Sequence, residues 1–562
     1  MSPKPIPYGL ADYDTLIRDG CTYIDKTMYI RSLEQAGYYL LFLRPRRFGK
    51  SLFASMLGHY YDIGKKNDFD LLFSNTHIGR DPTKRKNAYY VLQFDFSGIR
   101  TDSPEIMLES FTHNIHDALF SFCNAYQLDI TLEMNSPEVQ LSHLFTQFRA
   151  KCNGKIYVII DEYDHFANQL LSSDPESFKK ITSSDGFVRT WYEVLKRAAK
   201  TTVERIFITG ISPISLDNLT SGFSIAKNVS MDSRFNEMMG FTTAEVEQLI
   251  EETITEEPPL GLMDTLTEYY NGYCFSEDGK IRVFNSDMVL YYLDHYQQLH
   301  KAPRTLLDHN VVSDYGKLEG LIKFRAPEQN REILKEIISD GYTTAKLTER
   351  YYLNQEFGED NFKSLLFYLG LLTIKEANRG RVNLQIPNTV MMELYSAFLR
   401  KIIARETSYD PRDAEISQAI DQLAYENSCE KFITLIEGLL KAISNQDYRK
   451  FDEKYIKLAM FSYAWVNNLY FIKSEYEVEG TYIDLVFLPQ NEKLGLDTLL
   501  FELKYIKKEE ASKEAIAAAL AEAVTQLRGY GSVVEFANKK VTAWAIVFSK
   551  DECVARENVD IV

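Results

Sequence analysis

Arg44-Pro45-Arg46-Arg47-Phe48-Gly49-Lys50-Ser51 follows an apolar run at 38–43 (YYLLFL) and precedes a helical pattern over 52–61. Strand, loop, Gly-Lys-Ser and helix, in that order, form the arrangement that cradles a triphosphate. Backbone N–H groups and the helix N-terminus face the phosphates, the lysine reaches the β and γ oxygens, and the serine hydroxyl coordinates Mg²⁺. The expected nucleotide contacts are therefore Arg46, Arg47, Phe48, Gly49, Lys50, Ser51 and Leu52. The general pattern is GxxxxGK[ST], and Arg44 stands where its first glycine would be. Gly-Lys-Ser alone recurs by chance, so a second element has to support it.

That element is 156–160 (IYVII), an apolar run ending in Asp161-Glu162. Here Asp161 would hold Mg²⁺ and Glu162 would polarise the attacking water. A strand that simply ends in solvated acids is the plain alternative. The order and spacing of the two elements favour ATP binding over that alternative. The run 205–209 leads into Gly210-Ile211-Ser212, where Thr209 or Ser212 could contact the γ-phosphate or only cap a strand end. Arg234 could act as an arginine finger or be an ordinary surface residue. His165, just past the acidic pair, reads as a neighbour rather than a participant.

Working outward, the runs 38–43, 90–96, 156–160 and 205–209 are separated by helical stretches. Continuous apolar strands of this kind imply a parallel sheet covered on both faces. Residues 241–300 read as helical, with Thr242 or Thr243 as an N-cap. Residues 301–345 read as irregular and helical. A helix at 362–369, a strand at 371–375, the turn Asn378-Arg379-Gly380, a strand at 382–386 and a helix from Pro387 then follow. This is either a winged-helix-like module or a connector. The last 110 or so residues read as a helix (453–469), three strands (471–478, 481–488 and 498–505), a helix (511–530) and a strand (541–548), with a turn at 490–495. The expected architecture is α/β multidomain, with a P-loop NTPase domain and its helical extension over 1–300. A helical, winged-helix-like connector spans 301–440, and a restriction-endonuclease-like α/β domain spans 441–562.

A chain of 562 residues exceeds one hydrophobic core, so two to four domains are expected. It holds 36 Tyr and 34 Phe, which argues against long disordered tracts. No apolar run approaches a membrane span, and the start lacks the pattern of a signal peptide. The cysteines at 21, 123, 152, 274, 429 and 553 form no CxxC pair, which fits a reducing cytoplasm. A net charge of −17 counts against a protein that coats nucleic acid, though not against an enzyme with a local basic groove.

A second constellation lies near the C-terminus. Asp484 sits in Tyr482-Ile483-Asp484-Leu485-Val486-Phe487, and Glu502-Leu503-Lys504 lies in the next strand. Adjacent strands could bring Asp484 and Glu502 together at one sheet edge, and Glu502 and Lys504, two apart, project from one face. Two close carboxylates repel unless a cation lies between them, so Mg²⁺ or Mn²⁺ is expected at Asp484 and Glu502. The cation would activate water and neutralise the charge developing on a scissile phosphate, with Lys504 positioning the water. An isolated ExK means little. Here Phe501, Leu503 and Tyr505 form an apolar face opposite Glu502 and Lys504, and an Ala-rich helix follows to cover the sheet.

YIDKT (23–27), RPRRFGKS (44–51), IIDEYD (159–164), TGISP (209–213), GFT (240–242) and YNGYCF (270–275) follow one another in order. Together they resemble the bacterial predicted AAA-ATPase family, in which an ATPase-like domain precedes a PD-(D/E)XK nuclease-like domain. The resemblance covers roughly residues 5–300 and the C-terminal 110. RPRRFGK is that family's usual loop, whereas Asn285-Ser286 stands where Asn-Pro is expected. It implies a role for Asp25 and Lys26 near the nucleotide. It also implies a helix glutamate completing the metal site, with Glu453 as the candidate and Glu475 as the alternative, and Gln526 near the site. Lys507, Lys508 and Lys513 could contact phosphates or form a solvated charge run.

The expected function is ATP binding and hydrolysis gating a metal-dependent nuclease that acts on DNA, in defence or mobile-element biology. Glu162, Asp484, Glu502 and Lys504 would be its catalytic residues, and self-association is open. Two alternatives remain. One is a nucleotide-switched signalling or scaffold ATPase with an inactive nuclease-like binding domain. The other is a metal-independent nucleic-acid binder using the winged-helix-like segment.

Overall fold

The computed structural model describes residues 3–166, 169, 186–213, 225–278, 280–308, 326–349, 357–444, 453–467, 469–478, 480–490, 494–530, 536 and 539–561. The four apolar runs of the N-terminal third become β1 (Tyr39–Leu43), β2 (Tyr90–Asp95), β3 (Ile156–Asp161) and β4 (Val203–Gly210). With the two-residue β5 (Lys227–Asn228) they form one sheet in the order β2-β3-β4-β1-β5. Among the described residues its strands pair in parallel, including Phe42↔Thr209 and Asp95↔Asp161. The carboxyl ends of β1, β3 and β4 thus open on one side, where ligands bind in sheets of this kind.

The loop after β1 leads into α1 (Lys50–Tyr61). Helices α2 (Pro104–Ala125), α3 (Pro137–Lys151) and α4 (Phe187–Ala198) complete the layers. Trp191 of α4 locks against β2, its indole edge-on to Phe94 at 5.1 Å and to Phe96 at 5.7 Å. On α1, Tyr61 stacks on Tyr157 of β3 at 4.6 Å. Beyond the sheet, α5 (Thr243–Thr253) starts in a capping box between Thr242 and Glu245, and α6 (Ser286–Leu299) starts at the Asn285 N-cap.

The chain divides into two compact units, Met1–Asn330 with Thr344–Asn388, and Arg331–Thr343 with Thr389–Val562. The stretch 301–440, read as a connector, is shared between them. β6 (Tyr342–Ala345) spans the division. The expected hairpin is present as β7 (Thr373–Asn378) and β8 (Arg381–Gln385), turning through Arg379 and Gly380 at positive φ. Within the first unit the hairpin is fastened by Cys274 N–H, which donates to Thr373 Oγ1 at 2.7 Å, and by Arg282, which donates to the Ile374 and Lys375 carbonyls.

The second unit holds α7 (Glu430–Ser444), α8 (Glu453–Ala464), β9 (Tyr470–Val478), β10 (Thr481–Pro489), β11 (Thr498–Ile506), α9 (Lys513–Tyr530), β12 (Val541–Ser549) and β13 (Glu552–Val559). The sheet order is β13-β12-β11-β10-β9, parallel only between β11 and β12. Ala523, Val524 and Leu527 of α9 pack with Leu500, Ala543 and Ala545 on one face. On the other, Phe487 meets Phe501 at 4.9 Å and Phe432 of α7 at 6.3 Å. Both faces are therefore covered, as the strand patterning required. All six cysteines are free thiols, and no described helix is long and apolar enough to cross a membrane.

Candidate functional sites

The loop between β1 and α1 owes its shape to two left-handed residues, Arg47 at φ 69° and Gly49 at φ 86°. The conformation at Gly49 favours glycine and turns the chain straight into the helix at Lys50. Arg46, Arg47, Phe48, Gly49, Lys50, Ser51 and Leu52 all line one cavity of about 490 Å³, together with Glu162 and His165. Its far wall is apolar and includes Leu10, Leu16, Ile24, Met238, Met239 and Phe241. A phosphate-facing floor beside an apolar wall suits a nucleotide, with the base against the hydrocarbon.

Inside this cavity the charges are tightly arranged. Lys50 is buried, and its ammonium donates to the Pro45 carbonyl at 2.9 Å. Burial pushes the Lys50 pKa down, against the pull of Glu162, Asp161 and Asp164. Ser51 hydrogen-bonds the Asp161 carboxylate, so the two groups expected to hold Mg²⁺ already touch. Burial raises Asp161 despite that bond. Glu162 moves the other way. Burial raises it too, but the His165 hydrogen bond and the charges of Lys50, His165 and Arg46 outweigh burial, leaving it at about 2.

Several expected contacts take different partners. Phe48 turns into the core, edge-on to Tyr273 at 4.9 Å, and offers the cavity mainly its backbone. Arg47 is ion-paired to Asp287 at 2.5 Å and lies 3.5 Å from Asp308. Ser286 donates its hydroxyl to the Arg47 carbonyl at 3.1 Å, so α6 abuts the loop. Arg44 is buried and donates to the carbonyls of Leu43, Ser230 and Phe235, with Phe42 and Phe275 on its flanks. It replaces the first glycine of the general motif as a structural post, not a phosphate ligand. Ser212 bonds Asp164, whose carboxylate also accepts the Ile211 and Ser212 N–H groups. Thr209 is fully buried and its hydroxyl has no hydrogen-bond partner among the described residues. Arg234 pairs with Asp232 and lies outside the cavity lining. Lys26 lines the cavity but is held by Glu245 at 2.6 Å, while Asp25 accepts from Thr27 and His77 N–H groups.

The second site forms where β10 and β11 stop pairing. Their antiparallel rungs run from Phe487↔Leu499 through Val486↔Leu500 to Leu485↔Phe501 and end there. The next residues outward are Asp484 and Glu502. In place of a further rung, the Leu503 N–H donates to Asp484 Oδ2 at 2.7 Å. The sequence placed these carboxylates at a sheet edge. They lie instead on interior strands, at the point where the ladder ends.

Asp484, Glu502 and Lys457 are 8%, 4% and 7% exposed, so each charge needs a partner close by. Lys457 of α8 lies 2.5 Å from Asp484 Oδ1. Lys504 lies 3.4 Å from Glu502 and 3.3 Å from Glu522 of α9. Burial lowers the Lys504 pKa, but these two carboxylates outweigh it and the net shift is upward. Two carboxylates with water completing the shell fit a divalent cation. Among the described residues, no cluster of three or more His, Cys, Asp or Glu side chains suited to a metal occurs. Glu453 opens α8 and Glu475 lies on β9, but both side chains fall outside the described set. Gln526 of α9 carries a buried Oε1 with no hydrogen-bond partner among the described residues. Lys507, Lys508 and Lys513 are exposed.

Lys457 and Glu522 were missed from sequence. Lys457 sits in an ordinary amphipathic helix, 27 residues before Asp484 in the chain, and no local pattern marks it. His165 was read as a bystander, yet its Nδ1 lies 2.9 Å from Glu162 Oε2.

Comparison with known proteins places a different family match in each unit. Residues 7–220 match the family model described as Predicted AAA-ATPase, and residues 451–558 match that of the PD-(D/E)XK nuclease superfamily. An uncharacterized protein from the vnfD 5′ region of Azotobacter chroococcum mcd 1 is 26% identical over 460 residues, covering 80% of each chain. The chain thus carries a predicted AAA-ATPase-like domain followed by a PD-(D/E)XK nuclease superfamily domain.

Proposed function

We propose that the first unit binds and hydrolyses ATP and that the second is a metal-dependent nuclease acting on DNA, with ATP turnover gating cleavage. The single observation that carries the nuclease reading is the ending of the β10–β11 ladder at Asp484 and Glu502, with Lys504 on the same strand as Glu502. In the first unit, Lys50 and the cavity backbone would hold the phosphates, Ser51 and Asp161 would hold Mg²⁺, and Glu162 would accept a proton from the attacking water. In the second, Asp484 and Glu502 would hold Mg²⁺ or Mn²⁺, and Lys504 would orient the water and stabilise the departing charge. A divalent cation bound there neutralises charge developing on the phosphate.

The test is cleavage of circular and linear DNA with Mg²⁺ or Mn²⁺, alongside ATPase assays, for wild type, Lys50→Ala, Asp484→Ala and Lys504→Ala. The reading expects cutting to disappear in Asp484→Ala and Lys504→Ala, and ATPase activity to disappear in Lys50→Ala. One observation favours a second reading, a nucleotide-switched scaffold with an inactive nuclease-like domain. It is the Lys457–Asp484 ion pair, which neutralises Asp484 without any metal. Active ATPase with no cutting under either metal would support that reading.

A further inference from the structure

Glu162 is the first residue after β3 and adopts a left-handed backbone conformation, φ 49°. Its own N–H is taken by Asp161 Oδ1 at 3.0 Å, so that group does not orient the carboxylate. The chain turns back at once, and the His165 N–H donates to the Glu162 carbonyl at 3.0 Å. The same turn is closed a second time by side chains, with His165 Nδ1 2.9 Å from Glu162 Oε2. The opposite ring nitrogen, Nε2, lies 2.9 Å from Gln169 Nε2. Gln169 Oε1 in turn accepts from the Thr101 hydroxyl at 2.9 Å.

The contact at Glu162 fixes one proton in this chain. A carboxylate only accepts, so Nδ1 must carry a proton. An amide NH₂ only donates, so Nε2 must accept. The Gln169 amide is oriented with its oxygen toward the Thr101 hydroxyl, which donates to it, and its NH₂ toward Nε2. The chain therefore runs Thr101 to Gln169 to His165 to Glu162, each step a donor–acceptor pair, with the proton on Nδ1 directed at Glu162. Because His165 engages Oε2, Oε1 is left for a water molecule in the cavity that Glu162 and His165 both line.

We propose that His165 is the positioning residue for Glu162, its ring held from the far nitrogen by Gln169 and, through it, by Thr101. The inference rests on the reading of Glu162 as the base of ATP hydrolysis and extends it to three residues not assigned a role there. A base must hold its carboxylate within hydrogen-bond reach of the water, and a carboxylate on a left-handed residue at a strand end has rotamer freedom to lose. His165 removes that freedom.

The test is steady-state ATP hydrolysis by the full-length chain carrying His165→Phe, His165→Asn, Gln169→Leu or Glu162→Gln. His165→Phe keeps the ring but removes the donor, and should lower kcat at least tenfold with KM for ATP within twofold. His165→Asn places an amide N–H near the Nδ1 position and should recover most of that loss. Gln169→Leu should lower kcat a few-fold. In the Glu162→Gln background, adding His165→Phe should change nothing further. Wild-type kcat in His165→Phe, beside an inactive Glu162→Gln, overturns the positioning role and spares the base. A His165→Asn variant as defective as His165→Phe also overturns it, because a donor returned near the Nδ1 position would then restore nothing. Wild-type turnover in Glu162→Gln would instead overturn the base reading itself.

Discussion

The Lys457 ammonium lies 2.5 Å from the Asp484 carboxylate, and both side chains are buried. Removing one partner of such a pair leaves an uncompensated charge, at a cost of about 3–5 kcal/mol. Lys457→Met should therefore destabilise the second unit by roughly that amount in urea unfolding. If Asp484 holds a divalent cation, Mn²⁺ should restore part of the loss, because an ion bound only by the folded state stabilises it. A larger rise of Tm with Mn²⁺ in Lys457→Met than in wild type is the expected outcome. An equal rise in both would argue against a cation at Asp484.

Arg44 offers a separate test of structure against ligand binding. Its guanidinium bonds three carbonyls and lies 4.2 Å and 4.3 Å from the ring centroids of Phe42 and Phe275. Lysine is a point charge without that planar fork. Arg44→Lys should cost about 2–4 kcal/mol of stability, since bonds from charged donors are worth roughly 1.5–3 kcal/mol each and some survive. ATP affinity of the folded variant should stay within twofold. Thermal unfolding and fluorescent-nucleotide titration measure the two separately. A large loss of affinity with unchanged Tm would make Arg44 a phosphate contact after all.

Acid unfolding should report on Glu162. Its pKa falls from an ordinary 4.5 to about 2 in the folded chain. A depressed carboxylate contributes stability that is full above the unfolded value and is lost as pH falls through the folded one. The window is therefore from about pH 4.5 down to about pH 2, and the contribution is on the order of 3 kcal/mol. Glu162→Gln should flatten the acid limb of the stability curve across that window. An unchanged limb would mean that His165 and Lys50 do not hold the carboxylate charged. Asp161 shifts upward, so its contribution has the opposite sign.

The sheet strands were legible because they are buried on both faces. The runs 156–160 and 541–548 became Ile156–Asp161 and Val541–Ser549 almost unchanged. β13 was not legible, since Glu552–Val559 alternates partly buried and exposed polar residues on an edge strand and carries little apolar signal. The helix read over 453–469 ends at Ala464. Gly49, Lys50, Ser51 and the Asp161-Glu162 pair were readable because each group is contiguous in sequence, at the end of an apolar strand run or in the loop after one. Lys457, Glu522 and the Thr101–Gln169–His165 chain were not, because tertiary packing alone brings them to the carboxylates they contact.

Cleavage of supercoiled circular DNA with Mn²⁺, with and without ATP, by wild type, Glu162→Gln and Asp484→Asn is the decisive measurement for an ATP-gated nuclease. Metal-dependent cutting by wild type, none by Asp484→Asn, and an altered ATP response in Glu162→Gln are expected. Cutting by Asp484→Asn at the wild-type rate would contradict the assignment of Asp484 and Glu502 as the nuclease centre.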